Sequence, residues 1–121
     1  MSNVVRSIYA FAIYLMLSGT SFMLIPGLVL PLVGLPATDE VWIRLVGLLA
    51  FILGVYFLNA ARAGDRRFFR DTLLARLIFF TGVTLFVFLR WGIPVLILFG
   101  LIDLAGAAWT WSALRAEGNS D

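Results

Sequence analysis

Charge in this chain crowds into a single island, and that constrains the fold more than any motif does. The island is ARAGDRRFFRDTLLAR, Ala61 to Arg76, where Arg62, Arg66, Arg67, Arg70 and Arg76 stand against only Asp65 and Asp71. Apolar sequence runs for dozens of residues on either side of it. A soluble domain carries roughly 25% charged residues. Here the fraction is 13%, with 62% hydrophobic residues, which leaves too little polar surface to coat a globule in water. The chain reads as one integral membrane domain, residues 1–121, with an Arg-rich cytoplasmic loop over residues 62–70. A positive excess in a short loop is what fixes orientation during insertion.

Four apolar spans are expected, at about residues 5–25, 41–61, 71–89 and 94–114. Each is long enough to cross a hydrocarbon core of roughly 30 Å at about 1.5 Å per residue. The first resembles a signal peptide in its positive start and in the small residues Ser18, Gly19 and Thr20. Apolarity resumes at Phe22, however, and no A-x-A site follows, so an uncleaved span is the expectation. Pro26, Pro31 and Pro36, with Gly27 and Gly34, mark residues 26–40 as the non-cytoplasmic connection. Thr38 offers an N-cap for the second span, with Asp39 and Glu40 in its first turn. Gly64 suits a C-terminal cap, Asp65 an N-cap, and Pro94 the first position of the fourth helix. So few residues separate the last two spans that they form an antiparallel hairpin.

The fold class is therefore all-α: a four-helix transmembrane bundle, up-down-up-down, with both termini cytoplasmic. Seven arginines (Arg6, Arg62, Arg66, Arg67, Arg70, Arg76 and Arg115) then lie at or near the inner edge, against Arg44 and Arg90 outside. Tryptophans give an independent check, with Trp42 and Trp91 at the outer interface and Trp109 and Trp111 at the inner one. The membrane expected is a bacterial inner membrane.

Several chemistries are excluded. The chain has no Cys, His or Lys. That removes disulfides, thiol redox centres, zinc and haem ligation through His or Cys, and Schiff-base catalysis. Ser, Thr, Tyr and carboxylates remain, with no His or Lys base to activate them, so no enzyme activity, cofactor or metal site is expected. The net charge of +2 does not indicate nucleic acid, because the arginines sit at the edges of apolar runs and form no basic face interleaved with aromatics.

Asp103 asks for an explanation, since it falls about halfway along the fourth span and a charge there costs roughly 2.5–3.5 kcal/mol on insertion scales. It must face the bundle, where Gly100, Gly106, Ala107 and Thr110 share its helical face. Arg76 is the expected partner, with snorkelling to the inner headgroups as its alternative. Tyr14 and Ser18 on the first span, and Tyr56 and Asn59 on the second, complete the candidate polar cluster. Such a pair is first an inter-helix clamp and only second a transport site. Gly47, Gly54, Gly100 and Gly106 are read as helix-packing positions. Arg44 is expected to pair with Glu40 one turn earlier, and the run FFTGVTLFVF to face lipid or core.

The layout from residue 26 to about 80, a Pro-rich connector ending in LVGLP, then VWIRLVGLLAFILGVYFL and an Arg-started LLARLIFF, resembles small uncharacterised four-helix bacterial inner-membrane proteins, loosely DoxX-like. The resemblance implies an association with quinone-dependent oxidation alongside partner subunits, and it transfers no ligand residues. Small multidrug exporters are similar in size and span number, but their essential acid lies in the first helix, which carries none here. The leading function is a non-enzymatic accessory protein that packs with copies of itself or with a partner membrane subunit and holds a lipid or quinone-like molecule. The alternative is a small transporter or channel using Asp103 and Arg76 as a proton- or ion-responsive site.

Overall fold

The structure, a computed structural model, describes residues 2–38, 40–89 and 95–120, apart from the side chains of 118–120. These residues form the helices α1 (Asn3–Leu24), α2 (Pro26–Leu32), α3 (Val41–Ala63), α4 (Arg66–Phe88) and α5 (Val95–Ser120), with no strand among them. All but α2 are long and apolar enough to cross a membrane. At most 28% of the apolar window in any of the four is buried. Most leucine, isoleucine and valine side chains therefore point outward, as suits helices whose solvent is lipid.

Local chemistry sets the helix ends. The Ser2 hydroxyl accepts the Val5 N–H at 3.2 Å and opens α1. Gly64, at φ +65°, closes α3 in the left-handed conformation that glycine adopts without a Cβ penalty. Its N–H reaches Ala61 O at 3.3 Å, and Asp65 N–H reaches Ala60 O at 3.1 Å. The Asp65 carboxylate then accepts the Phe68 N–H at 3.2 Å and starts α4. The Arg-rich segment is accordingly not a loop over 62–70, because only Gly64 and Asp65 lie outside a helix. Arginine is a good helix former, and a left-handed glycine followed by a capping aspartate reverses the chain in two residues. Asp65→Ala is expected to lower stability by about 1 kcal/mol; an unshifted thermal melt in detergent would show that the cap contributes nothing.

The proline-rich connection also differs from expectation. It contains the short helix α2, with Pro26 at its start and Pro31 inside it. Pro26 needs no partner for its missing N–H at that position, whereas Pro31, in the last turn, removes the bond that an N–H there would make to Gly27 O. A glycine at φ +84°, Gly34, terminates it: Leu35 N–H bonds Leu30 O at 2.8 Å and Gly34 N–H bonds Pro31 O at 3.1 Å. Thr38 lies two residues too early to cap α3. Glu40 holds the N-cap position, and the Thr38 hydroxyl accepts the Glu40 N–H at 3.3 Å. The roles expected of Asp39, Arg90, Trp91 and Pro94 fall outside the described residues.

Arg44 does not pair with Glu40. The Glu40 carboxylate accepts the Trp42 indole N–H at 2.8 Å, while Arg44 Nη1 donates to Met23 O at 2.5 Å. The last carbonyls of a helix have no partner within it and attract cations, so Arg44 of α3 caps the end of α1.

Helix α1 packs most extensively against α3, and also against α5, which in turn packs along α4. Close approach of small residues makes the α1–α3 contact. A Cβ at Gly47 would lie 2.6 Å from Gly19 O and 2.8 Å from Met23 N, and one at Gly54 would lie 3.0 Å from Ala12 O. Lipid is as apolar as leucine, so helices associate in a bilayer through packing and hydrogen bonds instead of through hydrophobic burial. The buried core gathers at one end: Val4, Ile8, Phe11 and Ala12 of α1 meet Phe57, Ala60 and Ala61 of α3, Phe69 of α4 and Ala113 of α5.

Candidate functional site: a buried guanidinium between four helices

Arg76 packs against that core and is 2% exposed. Every helix that crosses the bundle touches it. Its guanidinium carbon is 4.0 Å from the centroid of the Phe11 ring of α1 and 5.5 Å from that of Phe57 of α3. Nη1 donates to Thr110 Oγ1 of α5 at 3.1 Å, and Thr110 Oγ1 lies 2.8 Å from Ser7 Oγ of α1. Ser7 in turn donates to Val4 O at 2.7 Å.

Counting protons fixes the direction of this chain. Arginine only donates, and each hydroxyl has one proton. The Ser7 proton goes to Val4 O, so Ser7 accepts from Thr110, and Thr110 accepts from Arg76. The sequence Arg76 to Thr110 to Ser7 to Val4 O is one-way, ends on backbone, and joins α4, α5 and α1. Thr110→Val keeps the shape and removes the link. It leaves Nη1 without an acceptor and is expected to cost about 2–3 kcal/mol. Ser7→Ala leaves only the Thr110 proton unplaced and should cost about half as much. Equal melting temperatures for the two variants would contradict the proton order.

The other edge of the guanidinium is unsatisfied: Nε and Nη2 are buried with no hydrogen-bond partner. Asp103 is the nearby countercharge, half-buried on α5 and electrostatically coupled to both Arg76 and Tyr14. No direct ion pair forms between Arg76 and Asp103 among the described residues. The reason lies in helix geometry. Side chains lean toward the N-terminus of their own helix. Arg66 of α4 pairs with Glu117 of α5, and Gly100 of α5 faces Val83 and Phe80 of α4, so contacts run in opposite senses along these two helices. Arg76 therefore leans toward the Thr110 level and Asp103 leans the other way. Thr110 is seven residues, about 10 Å, along α5 from Asp103.

The remaining candidates divide. Tyr14 and Ser18 are half-buried on α1, with the Tyr14 ring 5.6 Å from that of Phe11. Tyr56 is 58% exposed and Asn59 is exposed as well. Phe57 is the residue that α3 turns inward here, and its ring meets Phe68 of α4 edge to face at 5.2 Å. Of the four glycines, Gly47, Gly54 and Gly100 sit at close approaches, a Cβ at Gly100 lying 2.8 Å from Val83 Cγ2. Gly106 has ordinary room, its nearest neighbours being Phe11 at 3.6 Å and Arg76 Nη1 at 3.7 Å. Sequence reasoning missed Ser7, Phe11, Phe57 and Gly19. Ser7 and Phe11 are four apart on α1, a spacing that puts them on one face, and that was the available signal. In the run FFTGVTLFVF, Phe79, Phe86 and Phe88 are exposed, while Phe80 packs against Gly100.

An apolar groove of about 210 Å³ runs between α4 and α5, lined by Leu73, Leu104, Ala107, Ala108 and Trp111. No family model, curated protein or solved structure matches the chain. The functional reading accordingly rests on the residues themselves.

Proposed function

We propose that this chain is a small non-enzymatic integral membrane protein, a helix-packing or accessory subunit with both termini on the cytoplasmic side of a bacterial inner membrane. One observation carries the reading: Arg76 Nη1 and the buried hydroxyls of Thr110 and Ser7 are spent on one another across three helices. Arg76, Thr110 and Ser7 form a one-way hydrogen-bond chain that ends on backbone, which is how a clamp between helices uses polarity. The exposed apolar faces of α3 (Leu45, Leu49, Ile52, Leu53) and α4 (Leu74, Leu77, Ile78) supply surface for lipid, for a second copy or for a partner subunit. A lipid chain or quinone-like molecule would lie in the α4–α5 groove; its volume of about 210 Å³ is below the roughly 300 Å³ at which enclosed ligand pockets begin, which favours a chain lying along the surface over an engulfed substrate. The up-down-up-down arrangement is supported by the core cluster, which joins the first turns of α1 and α4 to the last turns of α3 and α5.

A second reading, a transporter or channel that uses Asp103 with Arg76 as its proton- or ion-responsive site, is favoured by the unpaired Nε–Nη2 edge and the half-buried carboxylate. Proteoliposomes separate the two. The accessory role predicts no proton-coupled flux in wild-type protein and no change in Asp103→Asn. A flux that disappears in Asp103→Asn would establish the transporter instead.

A further inference from the structure

Six exposed arginines, Arg6, Arg62, Arg66, Arg67, Arg70 and Arg115, gather where α1 and α4 begin and α3 and α5 finish. Among the described residues, three carboxylates share that end. Asp65 is occupied in capping α4, Glu117 pairs with Arg66, and Asp71 makes no ion pair among the described residues. Arg115 lies over the Trp111 ring at 5.1 Å. Arg62, Arg67 and Arg70 have no partner among the described residues. Arg67 and Arg70 also stand in the opening turns of α4, where the helix dipole disfavours cations, so they do not serve the stability of the helix itself.

What lies beneath them indicates a ligand with a head and a tail. Arg67, Arg70, Leu74 and Leu77 follow one another at spacings of three and four, and Ile78 is four residues after Leu74, which places all five on a single face of α4. Leu74 is 63% exposed, Leu77 52% and Ile78 62%. The neighbouring residues Phe69, Thr72 and Arg76 turn inward. This face therefore presents two guanidinium groups, with the exposed carboxylate of Asp71 beside Arg67, above a bare apolar stripe about 6 Å long, counted from Leu74 to Ile78. Guanidinium presents planar paired donors that match phosphate oxygens, and the stripe matches an acyl chain. A soluble phosphate would satisfy the arginines and leave the stripe uncovered.

We infer that the Arg67–Arg70 face of α4, with Arg62 across the turn, is a docking surface for anionic phospholipid, head on the arginines and tail along Leu74, Leu77 and Ile78. The inference needs the bundle to be embedded in a bilayer and is independent of whether it is an accessory subunit or a transporter. It is tested by reconstituting the purified protein in nanodiscs of equal phosphatidylglycerol and phosphatidylcholine, extracting it in mild detergent, and identifying the lipids retained by native mass spectrometry. Wild type should retain phosphatidylglycerol over phosphatidylcholine by at least about tenfold, the scale set by two arginines near an anionic surface. Arg67→Gln with Arg70→Gln should bring the ratio close to one, and Arg44→Gln, on the first turn of α3, should leave it unchanged. Equal retention of the two lipids by wild type would overturn the inference, as would a preference that survives in the double variant.

Discussion

Gly47→Leu is expected to be the most destabilising single substitution in the chain, lowering stability in detergent by more than about 3 kcal/mol. The ordinary penalty for overfilling a packed interior is about 1–3 kcal/mol, because side chains can shift aside. Here the obstacles are backbone atoms. A Cβ at Gly47 would lie 2.6 Å from Gly19 O and 2.8 Å from Met23 N, before the rest of a leucine is added. The only relief is to move α1 off α3, which separates the most extensive helix pair in the structure and withdraws Met23 O from Arg44. Gly82→Ala is the matched control. No atom lies within 4 Å of a Cβ built there, so relief of the glycine penalty in a helix should raise stability by about 0.5–1 kcal/mol. The two changes are predicted to shift the melting temperature in opposite directions; a loss at Gly47 no larger than that of an ordinary surface substitution would mean that α1 and α3 are not in this contact.

The second large effect is a loss at Asp103 that a second substitution partly rescues. Asp103→Leu should cost about 3 kcal/mol, and adding Arg76→Leu should restore part of the loss. The single change leaves a guanidinium that is 2% exposed, with two nitrogens already unpaired, in an apolar interior with no countercharge. Stranding one member of a buried pair is what makes such substitutions severe. Removing Arg76 as well takes away the stranded charge, and Thr110 loses a donor while keeping its own bond to Ser7. Thermal melts of the two variants decide the matter. A double variant less stable than the single one would mean that Asp103 does not compensate Arg76, and that the cation is balanced by something other than this carboxylate.

Much of the fold was legible because the relevant signals are local. Apolar runs of about 20 residues, a glycine that must go left-handed at position 64 and an aspartate that caps at position 65 each act over a few residues. The same local chemistry shows why the Arg-rich segment is helical on both sides of its turn. Charge density suggests a loop, whereas arginine is comfortable in a helix and Phe69 beside it is 1% exposed. The α2 segment was obscured by its prolines, which break long helices and are tolerated in one of seven residues. The site was harder to read, because its geometry depends on the direction in which side chains lean. Depth along the helix axis brings Arg76 and Asp103 within reach of each other, but two helices running in opposite senses tilt their side chains apart. The guanidinium thus meets Thr110. Tyr56 and Asn59 share the depth of Arg76 but are exposed, because depth does not say which face of α3 turns inward. Phe11 and Phe57 were invisible as cation partners because an aromatic residue on an apolar helix has the same appearance whether it faces lipid, core or guanidinium.

The most direct test uses the absence of cysteine from the chain, so that one introduced thiol gives one labelling site. Arg70→Cys and Glu40→Cys both replace exposed residues, on the first turns of α4 and at the start of α3. In intact spheroplasts of an expression host treated with a membrane-impermeant maleimide, a four-span bundle with its arginine-rich end inside predicts label at position 40 and none at position 70 until the membrane is permeabilised. Label at position 70 in intact spheroplasts, or at both positions alike, would contradict it.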